Sequence, residues 1–513
     1  MNILFYFHQR ASYAVDWKTL INKDDPDIFL VLVSTKECIS QISASDLKIF
    51  GNIIQVDHFD FATLQPPMNK VLSQHYKPGD KSAIAVMSEF TMDEAAKLRD
   101  HFKTKFNMFG SGVELTELFR NKLKMKEVLA KGNVRLPKYR EFDVQAYQTH
   151  PNQYLQTLEH FLGYPMFIKP IDGAASIGTA YIRDRSSLEQ WCNQSIDSKQ
   201  RFEIDEFIDG DLYHVDGVIQ NNQIKFLFPS RYLHPNADGL SGKPICSMTL
   251  SPDSEDYQRL SEFAKETHKH FPEIPDGLFH LEVFKNRENI FIFLELAARP
   301  PGAAVPEVYM IRTGGICIRK LHSRLMFGLN VDAELAHLND SSRRGPYAAM
   351  FQIGSPLAGG TVGKIHTPIF SGGKHETKIT CNEGDVIKPN INAILHPLVS
   401  TIFYNDNYTQ LEQDFFSLDE QQIIEIIPAS HGLIQSIVDS SVSQSAINYV
   451  NRIIDSTISK ATHYASGVVR DCPSYWSSSA SPTLFHPNSN CLLNVSIPCQ
   501  IAAPLSVMHI GKS

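Results

Sequence analysis

Short apolar runs alternate with amphipathic segments along the first hundred residues. Four runs have the length of buried strands: NILFYF at 2–7, DIFLVLVS at 27–34, NIIQVD at 52–57 and SAIAVMSE at 82–89. The segment at 91–105, TMDEAAKLRDHFKTK, keeps a helical period and begins at a threonine, a residue that commonly caps helices. This alternation predicts an α/β layer built on a parallel sheet over residues 1–112.

The middle of the chain, residues 113–335, holds longer patterns of both kinds. The helical periods lie at 117–131, 186–195 and 254–270, and the strand-like runs lie near 164–171, 202–228 and 277–298. From about residue 345 the chain becomes strand-like and rich in glycine, which predicts a β-rich lobe within 336–428.

The last segment, 429–513, differs in composition from the rest. It is rich in serine, proline and asparagine and low in charge, with one helical pattern at 443–460. We interpret it as an extension and assign it no chemistry.

Length and charge limit the class of protein. A chain of 513 residues, 42% hydrophobic and 20% charged, is typical of a soluble protein of several domains. A net charge of −8 without a basic stripe argues against nucleic acid as a partner. No apolar run approaches 18 residues, and the first residues do not resemble a signal peptide. The eight cysteines form no C-x-x-C pair, which is typical of reduced thiols. We therefore expect a cytoplasmic protein without a membrane span.

The stretch YPMFIKPIDGAASIG at 164–178 is the first that suggests chemistry. Lys169 stands inside an apolar strand-like run, and a Gly/Ala/Ser-rich segment follows at once. One interpretation is a lysine that extends from an edge strand to solvent before an ordinary turn. The other is an ammonium that points into a binding cleft.

A second stretch, GLFHLEVFKNRENIFIFLELAARPPG at 277–302, predicts two strands joined by a turn at 288–289. In an antiparallel pair centred there, residues whose numbers sum to 577 lie opposite each other, so Glu282 faces Glu295. Opposed carboxylates repel unless a cation lies between them, and carboxylate oxygens suit Mg²⁺. Arg299 follows on the face of Glu295. Alternatively, either carboxylate only pairs with Arg299, His280 or a distant lysine, and a shift of one residue in register would remove the opposition.

Other motifs are weak or missing. GGTVGK at 359–364 imitates a phosphate-binding loop, but Ala358 stands where its first glycine belongs and Ile365 follows the lysine. We predict an ordinary turn there. The chain has no G-x-G-x-x-G, H-E-x-x-H or G-x-S-x-G motif.

Five stretches, taken together, resemble the ATP-grasp superfamily. They are SEFTMDEAAKLRDHF (88–102), RNKLKMKEVLAKGNVRLPKY (120–139), YPMFIKPIDGAASIGT (164–179), IDEFIDGDLYHVDGVI (204–219) and HLEVF…FLELAARPPG (280–302). The resemblance implies an α/β, ATP-grasp fold. Its parts would be a Rossmann-like pre-ATP-grasp domain at 1–112, a two-lobed catalytic core at 113–335 and the β-rich lobe at 336–428, followed by the extension.

The resemblance also implies a set of site residues. Lys122 and Lys169 would reach the phosphates of ATP, and Lys169 and Arg299 would serve catalysis. Glu282 and Glu295 would hold Mg²⁺, for which Mn²⁺ could substitute. The loop residues implied to cover the phosphates are Gly173, Ala174, Ala175, Ser176 and Gly178. The residues implied around the adenosine are Asp205, Glu206, Phe207, Ile208 and Asp211.

Two positions depart from the pattern of many relatives. Ala297 stands where they carry a metal-binding asparagine, and Leu212, beside Asp211, stands near the place of a ribose-binding glutamate. Asp211 could substitute for that glutamate.

The implied chemistry is that of a carboxylate–amine ligase, of the branch with L-amino-acid ligase, carnosine synthase and biotin-carboxylase-like enzymes. Such a ligase forms an acyl phosphate from a small carboxylic or amino acid and joins it to an amine. The candidates for the substrate side are His214, Asp216, Arg231 and Arg299, with His214 alternatively a satisfied histidine on a strand. A homodimer is implied. The alternatives are a non-amine acceptor, a nucleotide-binding regulatory protein without turnover, and an interaction protein that uses the extension.

Overall fold

The computed structural model describes residues 1–10, 13, 15–241, 243–354, 359–388 and 397–428. The extension at 429–513, with the helix predicted at 443–460, lies outside the described residues. Within the described ranges, no helix has both the length and the apolar character needed to cross a membrane.

The first part of the chain is a parallel sheet with helices on both faces. Its strands are β1 Asn2–His8, β2 Ile28–Ser34, β3 Asn52–Gln55, β4 Lys81–Val86 and β5 Met108–Phe109. Its helices are α1 Trp17–Leu20, α2 Lys36–Ser40, α3 Ala44–Leu47, α4 Phe61–His75 and α5 Met92–Phe106. The four predicted strands and the parallel pairing are confirmed.

The strand order of this sheet is β3-β2-β1-β4-β5. The chain therefore adds β2 and β3 on one side of β1 and then β4 and β5 on the other side. Parallel sheets bind ligands beyond the carboxyl ends of the strands at such a reversal. The ends of β1 and β4 are consequently the part of this sheet from which to expect contributions to a site.

The helix predicted at 91–105 is α5, but Thr91 does not cap it as predicted. Its hydroxyl donates to the backbone oxygen of Ser88 and contacts Gln9 instead of accepting from the first turn. The helix predicted at 117–131 begins later than expected. Asn121 accepts hydrogen bonds from two backbone N–H groups and starts α7, Lys122–Leu129, while the residues before it form the short helix α6, Val113–Glu117, and a turn.

A four-stranded antiparallel sheet follows. Its strands are β6 Tyr139–Glu141, β7 Met166–Pro170, β8 Ala180–Ile182 and β9 Phe202–Glu206, in the order β6-β9-β7-β8. Its helices are α8 Val144–Thr149, α9 Pro151–Leu162 and α10 Arg185–Ser195. One face of the sheet packs on these helices through a core that includes Ile168 and Trp191. Residues that alternate with Ile168, such as Lys169, face the opposite side.

The largest sheet has eight strands. They are β10 Gly210–Gln220, β11 Gln223–Tyr232, β12 Ile245–Thr249, β13 Gly277–Asn286, β14 Phe291–Ala297, β15 Tyr347–Gly354, β17 Lys374–Ile379 and β19 Pro397–Asn405. Their order is β14-β13-β10-β11-β12-β15-β19-β17. The associated helices are α11 Glu255–His270, α12 Val305–Arg312, α13 Ile318–Met326, α14 Asp332–Asn339 and α15 Tyr408–Ser417. The helices predicted at 186–195 and 254–270 are confirmed as α10 and α11.

A small three-stranded sheet completes the described chain. Its strands are β16 Gly360–Ile365, β18 Val386–Ile387 and β20 Ile424–Pro428, in the order β18-β16-β20. The stretch GGTVGK at 359–364 lies mainly on β16, so the turn predicted there is wrong. The run continues as a strand because β18 and β20 pair with it on both sides.

His322 on α13 links the first sheet to the largest one. Its Nδ1 accepts from the N–H of Leu278 and its Nε2 lies 2.9 Å from the carbonyl oxygen of Val86, so the ring is the neutral tautomer with hydrogen on Nε2. Gly277 makes room for the ring, because a Cβ there would lie 2.6 Å from Nδ1. Burial lowers the pKa of His322 to about 4.

This lowered pKa predicts acid sensitivity. An unfolded histidine titrates at about 6.5, so the stability that neutral His322 contributes is complete above pH 6.5 and is lost as the pH falls towards 4. We expect His322→Gln to be less stable at pH 7 but to lose roughly 3 kcal/mol less than wild type between pH 7 and 4. Urea denaturation at a series of pH values measures the free energy of unfolding. The control is His58→Gln, which changes an exposed histidine. An unchanged pH slope in His322→Gln would contradict the prediction.

Candidate active site

Lys169 points to the interior, so the interpretation of a lysine that extends to solvent is wrong. It lies on β7 directly opposite Glu203 on β9, and its side chain is 6% exposed. Its Nζ is 2.9 Å from Oδ2 of Asp205 and 3.2 Å from Oε1 of Glu203. Burial lowers the pKa of Lys169, but these two carboxylates outweigh burial and raise it, so the side chain is an ammonium.

The ammonium of Lys169 keeps hydrogen-bonding capacity. Although it lies within ion-pair distance of both carboxylates, it has hydrogen-bond geometry to none of the described residues. A buried donor without an acceptor is costly, and phosphate oxygens would satisfy it. This observation supports the implied contact with the phosphates of a nucleotide.

Lys126, which the sequence analysis did not single out, holds the same two carboxylates. Its fully buried Nζ donates to Oε2 of Glu203 at 2.9 Å and to the two oxygens of Asp205 at 2.8 and 2.9 Å. Asp205, which the resemblance implies to lie beside the adenosine, therefore directs its carboxylate at two lysines. Its position on β9 opposite Phe167 and beside Lys126 explains this orientation.

Lys122 is the first residue of α7 and is buried. Its Nζ donates to the carbonyl oxygen of Gly173 at 2.8 Å and lies 3.0 Å from Oε2 of Glu295. Burial raises the pKa of Glu295, but Lys122 and Lys169 outweigh burial and lower it to about 2. The structure therefore brings together the two lysines and the second carboxylate that the sequence analysis singled out.

The loop between β7 and β8 carries the implied phosphate-binding residues. Ala175 and Ser176 adopt left-handed backbone angles, with φ of 54° and 56°, and Gly178 has φ of 78°. Consecutive residues of this kind turn backbone N–H groups towards one side, as in anion-binding loops. Lys122 and Arg120 hold the start of the loop through the carbonyl oxygens of Gly173 and Asp172.

The register predicted for the two strands is confirmed at the carboxylates. Glu282 on β13 pairs with Glu295 on β14, and the pair before it, Leu281 with Leu296, has the same sum of 577. A bulge follows, so Val283 lies opposite Phe293, one residue short of the predicted partner. The bulge leaves the two glutamates opposed.

The neighbours of Glu282 leave two oxygen atoms beside it without a donor. Its Oε1 accepts from Asn236 at 2.8 Å and lies 3.2 Å from Nε2 of His280 and 3.4 Å from the hydroxyl of Tyr232. Its Oε2 receives no hydrogen bond from the described residues, and neither does the buried Oδ1 of Asn236. Carboxylate and amide oxygens are the ligands that Mg²⁺ prefers, so the donor set fits. The alternative of simple ion pairs also holds in part, because His280 contacts Glu282 and Lys122 contacts Glu295.

His214 and Asp216 do not face a substrate cleft, contrary to their assignment to the substrate side. Both are fully buried on β10, an interior strand of the largest sheet that lies between β13 and β11. Asp216 accepts from Nδ1 of His214 at 2.7 Å, from Nδ1 of His280 at 2.8 Å and from the hydroxyl of Tyr309 at 2.6 Å. His214 is thus the satisfied interior histidine of the alternative interpretation, with its Nε2 2.7 Å from Ser247.

Arg299 is held by Glu89, a residue that the sequence analysis did not single out. Its Nε and Nη2 donate to Oε2 of Glu89 at 2.9 and 2.7 Å, and Arg120 donates to Oε1 at 2.7 Å. Glu89 follows β4 at the reversal point of the first sheet. That position in the sequence could have identified Glu89 as a candidate, since residues beyond the carboxyl end of a parallel strand often line a binding site. Burial raises the pKa of Glu89, but Arg299 and Arg120 lower it below its ordinary value.

The residues implied around the adenosine run from the end of β9 to the start of β10. The N–H of Glu206 donates to Lys138 and that of Phe207 to Pro165, whereas the N–H of Ile208 donates to none of the described residues. Asp211 lies 3.1 Å from Arg231, and the ring of Tyr213 lies beside Arg231 as well. Arg231 is therefore next to the residue implied for the ribose.

Comparison with known proteins identifies chains that this one resembles. A family described as the C-terminus of D-Ala–D-Ala ligase matches residues 128–237. The D-alanine–D-alanine ligase of Bacillus velezensis is 29% identical over 116 residues, which are 23% of this chain and 32% of that protein. The formate-dependent phosphoribosylglycinamide formyltransferase of Prochlorococcus marinus is 25% identical over 187 residues, or 36% of this chain and 46% of that protein. The chain thus matches only a third to a half of the length of these relatives.

Solved structures extend the likeness to most of the chain. The L-amino acid ligase of Bacillus licheniformis superposes with a TM-score of 0.59 at 16% identity, covering 84% of this chain and 99% of that one. The N5-carboxyaminoimidazole synthase of Aspergillus clavatus superposes with a TM-score of 0.54 at 11% identity, covering 82% and 98%. Both likenesses confirm the fold that the five sequence stretches imply. The chain has the ATP-grasp fold.

Proposed function

We propose that the protein is an ATP-dependent ligase that activates a small carboxylic or amino acid as an acyl phosphate and joins it to an amine. The observation that carries this proposal is the group of cations around Glu295: Lys122 pairs with it at 3.0 Å, and Lys122, Lys169 and Arg299 all lower its pKa. The relatives named as D-alanine–D-alanine ligases support the reaction class.

Two displacements make up the reaction. An oxygen of the substrate carboxylate attacks the γ-phosphorus of ATP, the bond from that phosphorus to the β-γ bridging oxygen breaks, and ADP leaves. The amine nitrogen then attacks the acyl carbon, a C–N bond forms, phosphate leaves and the nitrogen loses a proton. The first step concentrates negative charge at the transferring phosphoryl group, and the second places it on the oxygen at the acyl carbon and on the phosphate that leaves. Fixed cations are the main contribution that such chemistry needs from a protein.

The cations of this chain are arranged for that task. Lys169 offers its unsatisfied ammonium to a phosphate, and Lys122 stands at the start of the loop that would cover it. Arg299 stabilises the charge on the transferring group and on the acyl phosphate. The loop would add the backbone N–H groups of Ala174, Ala175 and Ser176, because those of Gly173 and Ile177 already donate to carbonyl oxygens of Pro170 and Ala174.

The metal-binding residues we propose are Glu282 and Glu295, with Asn236 as a third oxygen donor. When bound, Mg²⁺ or Mn²⁺ would neutralise phosphate charge. Ala297 cannot supply a ligand, and the buried Oδ1 of Asn236 beside Glu282 offers the amide oxygen that position 297 lacks. Glu282 is oriented by His280 and Tyr232.

We place the adenine against the backbone of Glu206, Phe207 and Ile208, where the N–H of Ile208 is available as a donor. Asp211 would bind the ribose hydroxyls, with Arg231 holding its carboxylate at 3.1 Å. Asp205 would contribute by fixing Lys169.

We also assign residues 1–112, 113–335 and 336–428 to the pre-ATP-grasp domain, the catalytic core and the β-rich lobe. We propose that the protein is a cytoplasmic homodimer. The five described cysteines are all free, which supports a reducing compartment.

The proposed function is tested by incubating the purified protein with MgATP and pools of amino acids, and measuring ADP and phosphate together. We expect equal amounts of both products, at a rate that depends on an added carboxylate and an amine. Deconvolution of the active pool then identifies the pair. Release that depends on bicarbonate and needs no amine would instead favour a non-amine acceptor. Tight ATP binding without turnover in any pool would favour the regulatory protein.

A further inference from the structure

We propose that Lys126 is a positioning residue for nucleotide binding: it neutralises and holds Glu203 and Asp205, so that Lys169 keeps its ammonium hydrogens and its net charge for a phosphate. This inference rests on the proposed function only in that a nucleotide phosphate binds at Lys169. It does not depend on which acid or amine is used.

The hydrogen bonds of the two lysines differ. An ammonium has three donors, and Lys126 makes three hydrogen bonds, all to Glu203 and Asp205. Lys169 lies 2.9 Å from Asp205 and 3.2 Å from Glu203 but has hydrogen-bond geometry to neither. Lys126 thus determines how both carboxylates are oriented.

The positions of Lys122 and Lys126 along α7 explain why the two lysines contact different groups. Lys122 and Lys126 are four residues apart and share one face of the helix. Lys122, at the helix start, contacts Gly173 and Glu295. Lys126, one turn later, contacts Glu203 and Asp205 on β9. The ring of Tyr139 lies 4.9 Å from Nζ of Lys126 and closes the far side. The hydrogen bonds of Lys126 all go to Glu203 and Asp205, so its role is not direct contact with a nucleotide.

The charges of the buried side chains around Lys169 explain why Lys126 is needed. Glu203 and Asp205 are buried, and Lys169 alone balances only one of them. With Lys126 the four side chains are neutral together. Without it, a buried negative charge would remain beside Lys169 and would repel the phosphates in a region where solvent screens poorly.

A charge cycle tests the proposal through nucleotide affinity, measured by titration with a fluorescent ATP analogue in Mg²⁺ and followed by calorimetry with ATP. We expect Lys126→Met to weaken binding about 10- to 100-fold, because the cluster becomes negative. Glu203→Gln, which makes the cluster positive, should bind a few-fold tighter than wild type. The double variant, neutral again, should return to within about threefold of wild type.

Lys124→Met is the matched control. It removes a lysine of the same helix whose side chain is 42% exposed and pairs with Glu117 at the surface. We expect its affinity to equal that of wild type.

The order of the nucleotide affinities distinguishes the proposed electrostatic role of Lys126 from a role in packing alone. If Lys126 only fills space, the double variant will bind no better than Lys126→Met, and that result would overturn the proposal. Equal binding by Lys126→Met and wild type would overturn it as well. If Lys126→Met does not fold, Glu203→Gln alone decides: tighter binding supports the proposal, and unchanged or weaker binding refutes it.

Failure of the proposed function has a different signature. Wild-type protein that binds no nucleotide would refute the nucleotide site and, with it, the role of Lys126. Wild-type protein that binds nucleotide but shows no ligase turnover would refute the proposed reaction and leave the charge cycle to decide on Lys126.

Discussion

Turnover of ATP by Glu295→Gln is expected to fall by about 10²–10³-fold relative to wild type, with a higher requirement for Mg²⁺. Glutamine preserves the size of the side chain but removes the charge that faces Glu282 and lies 3.0 Å from Lys122. The proposed cation loses an anionic ligand, and Lys122 loses its partner. Phosphate release as a function of Mg²⁺ concentration measures the effect, and Mn²⁺ binding by electron paramagnetic resonance measures the site itself.

Glu288→Gln is the control for that measurement, because Glu288 is exposed on the turn of the same pair of strands. It should retain wild-type rate and Mg²⁺ dependence. If Glu295→Gln turns over within threefold of wild type at all Mg²⁺ concentrations, the assignment of Glu295 to the metal is wrong.

Asp216→Ala is expected to lower the free energy of unfolding by about 3–5 kcal/mol. The substitution leaves His214, His280 and Tyr309 buried without the carboxylate to which all three donate. Burial lowers the pKa of His280, but Asp216 and Glu282 outweigh burial and raise it to about 10, so a buried cation would lose its principal partner. Urea denaturation followed by circular dichroism at pH 7 measures the loss.

Asp253→Ala, at an exposed turn position, should change stability by less than ~0.5 kcal/mol and serves as the control. The pH dependence gives a second check. The two imidazoles lower the pKa of Asp216 despite its burial, so its contribution is lost as the pH falls below about 4. The contribution of His280 is complete below about pH 6.5 and is lost as the pH rises towards 10. A loss under 1 kcal/mol in Asp216→Ala would show that the network is not stabilising.

Local patterns predicted the parts of the site that lie within one pair of strands. The alternation around the turn at 288–289 placed Glu282 opposite Glu295, because a two-residue period and a turn together determine register. The bulge just beyond Glu282 was missed, since an extra residue leaves the alternation of short apolar strands almost unchanged. The run around Lys169 likewise predicted β7 correctly.

Contacts between distant segments could not be predicted from patterns. Glu89 and Arg299 are 210 residues apart, and only the packing of the first sheet against the end of β14 brings them together. His214 and Asp216 were assigned to the substrate side by resemblance to carboxylate–amine ligases. The strand β10 lies inside the largest sheet, where buried hydrogen bonds replace solvent, and the sequence of one strand does not reveal its neighbours.

The buried cluster of Glu89, Arg120 and Arg299 constrains how this chain can diverge. Both arginines donate to the buried carboxylate of Glu89, and Arg120 also donates to Asp93 and holds the loop through Asp172. A neutral residue at position 89 would remove the carboxylate partner of Arg299 and leave Arg120 with Asp93, so its acceptance requires accompanying changes at 120 and 299. In descendants and relatives these three positions should therefore change together, although they lie in separate segments of the gene.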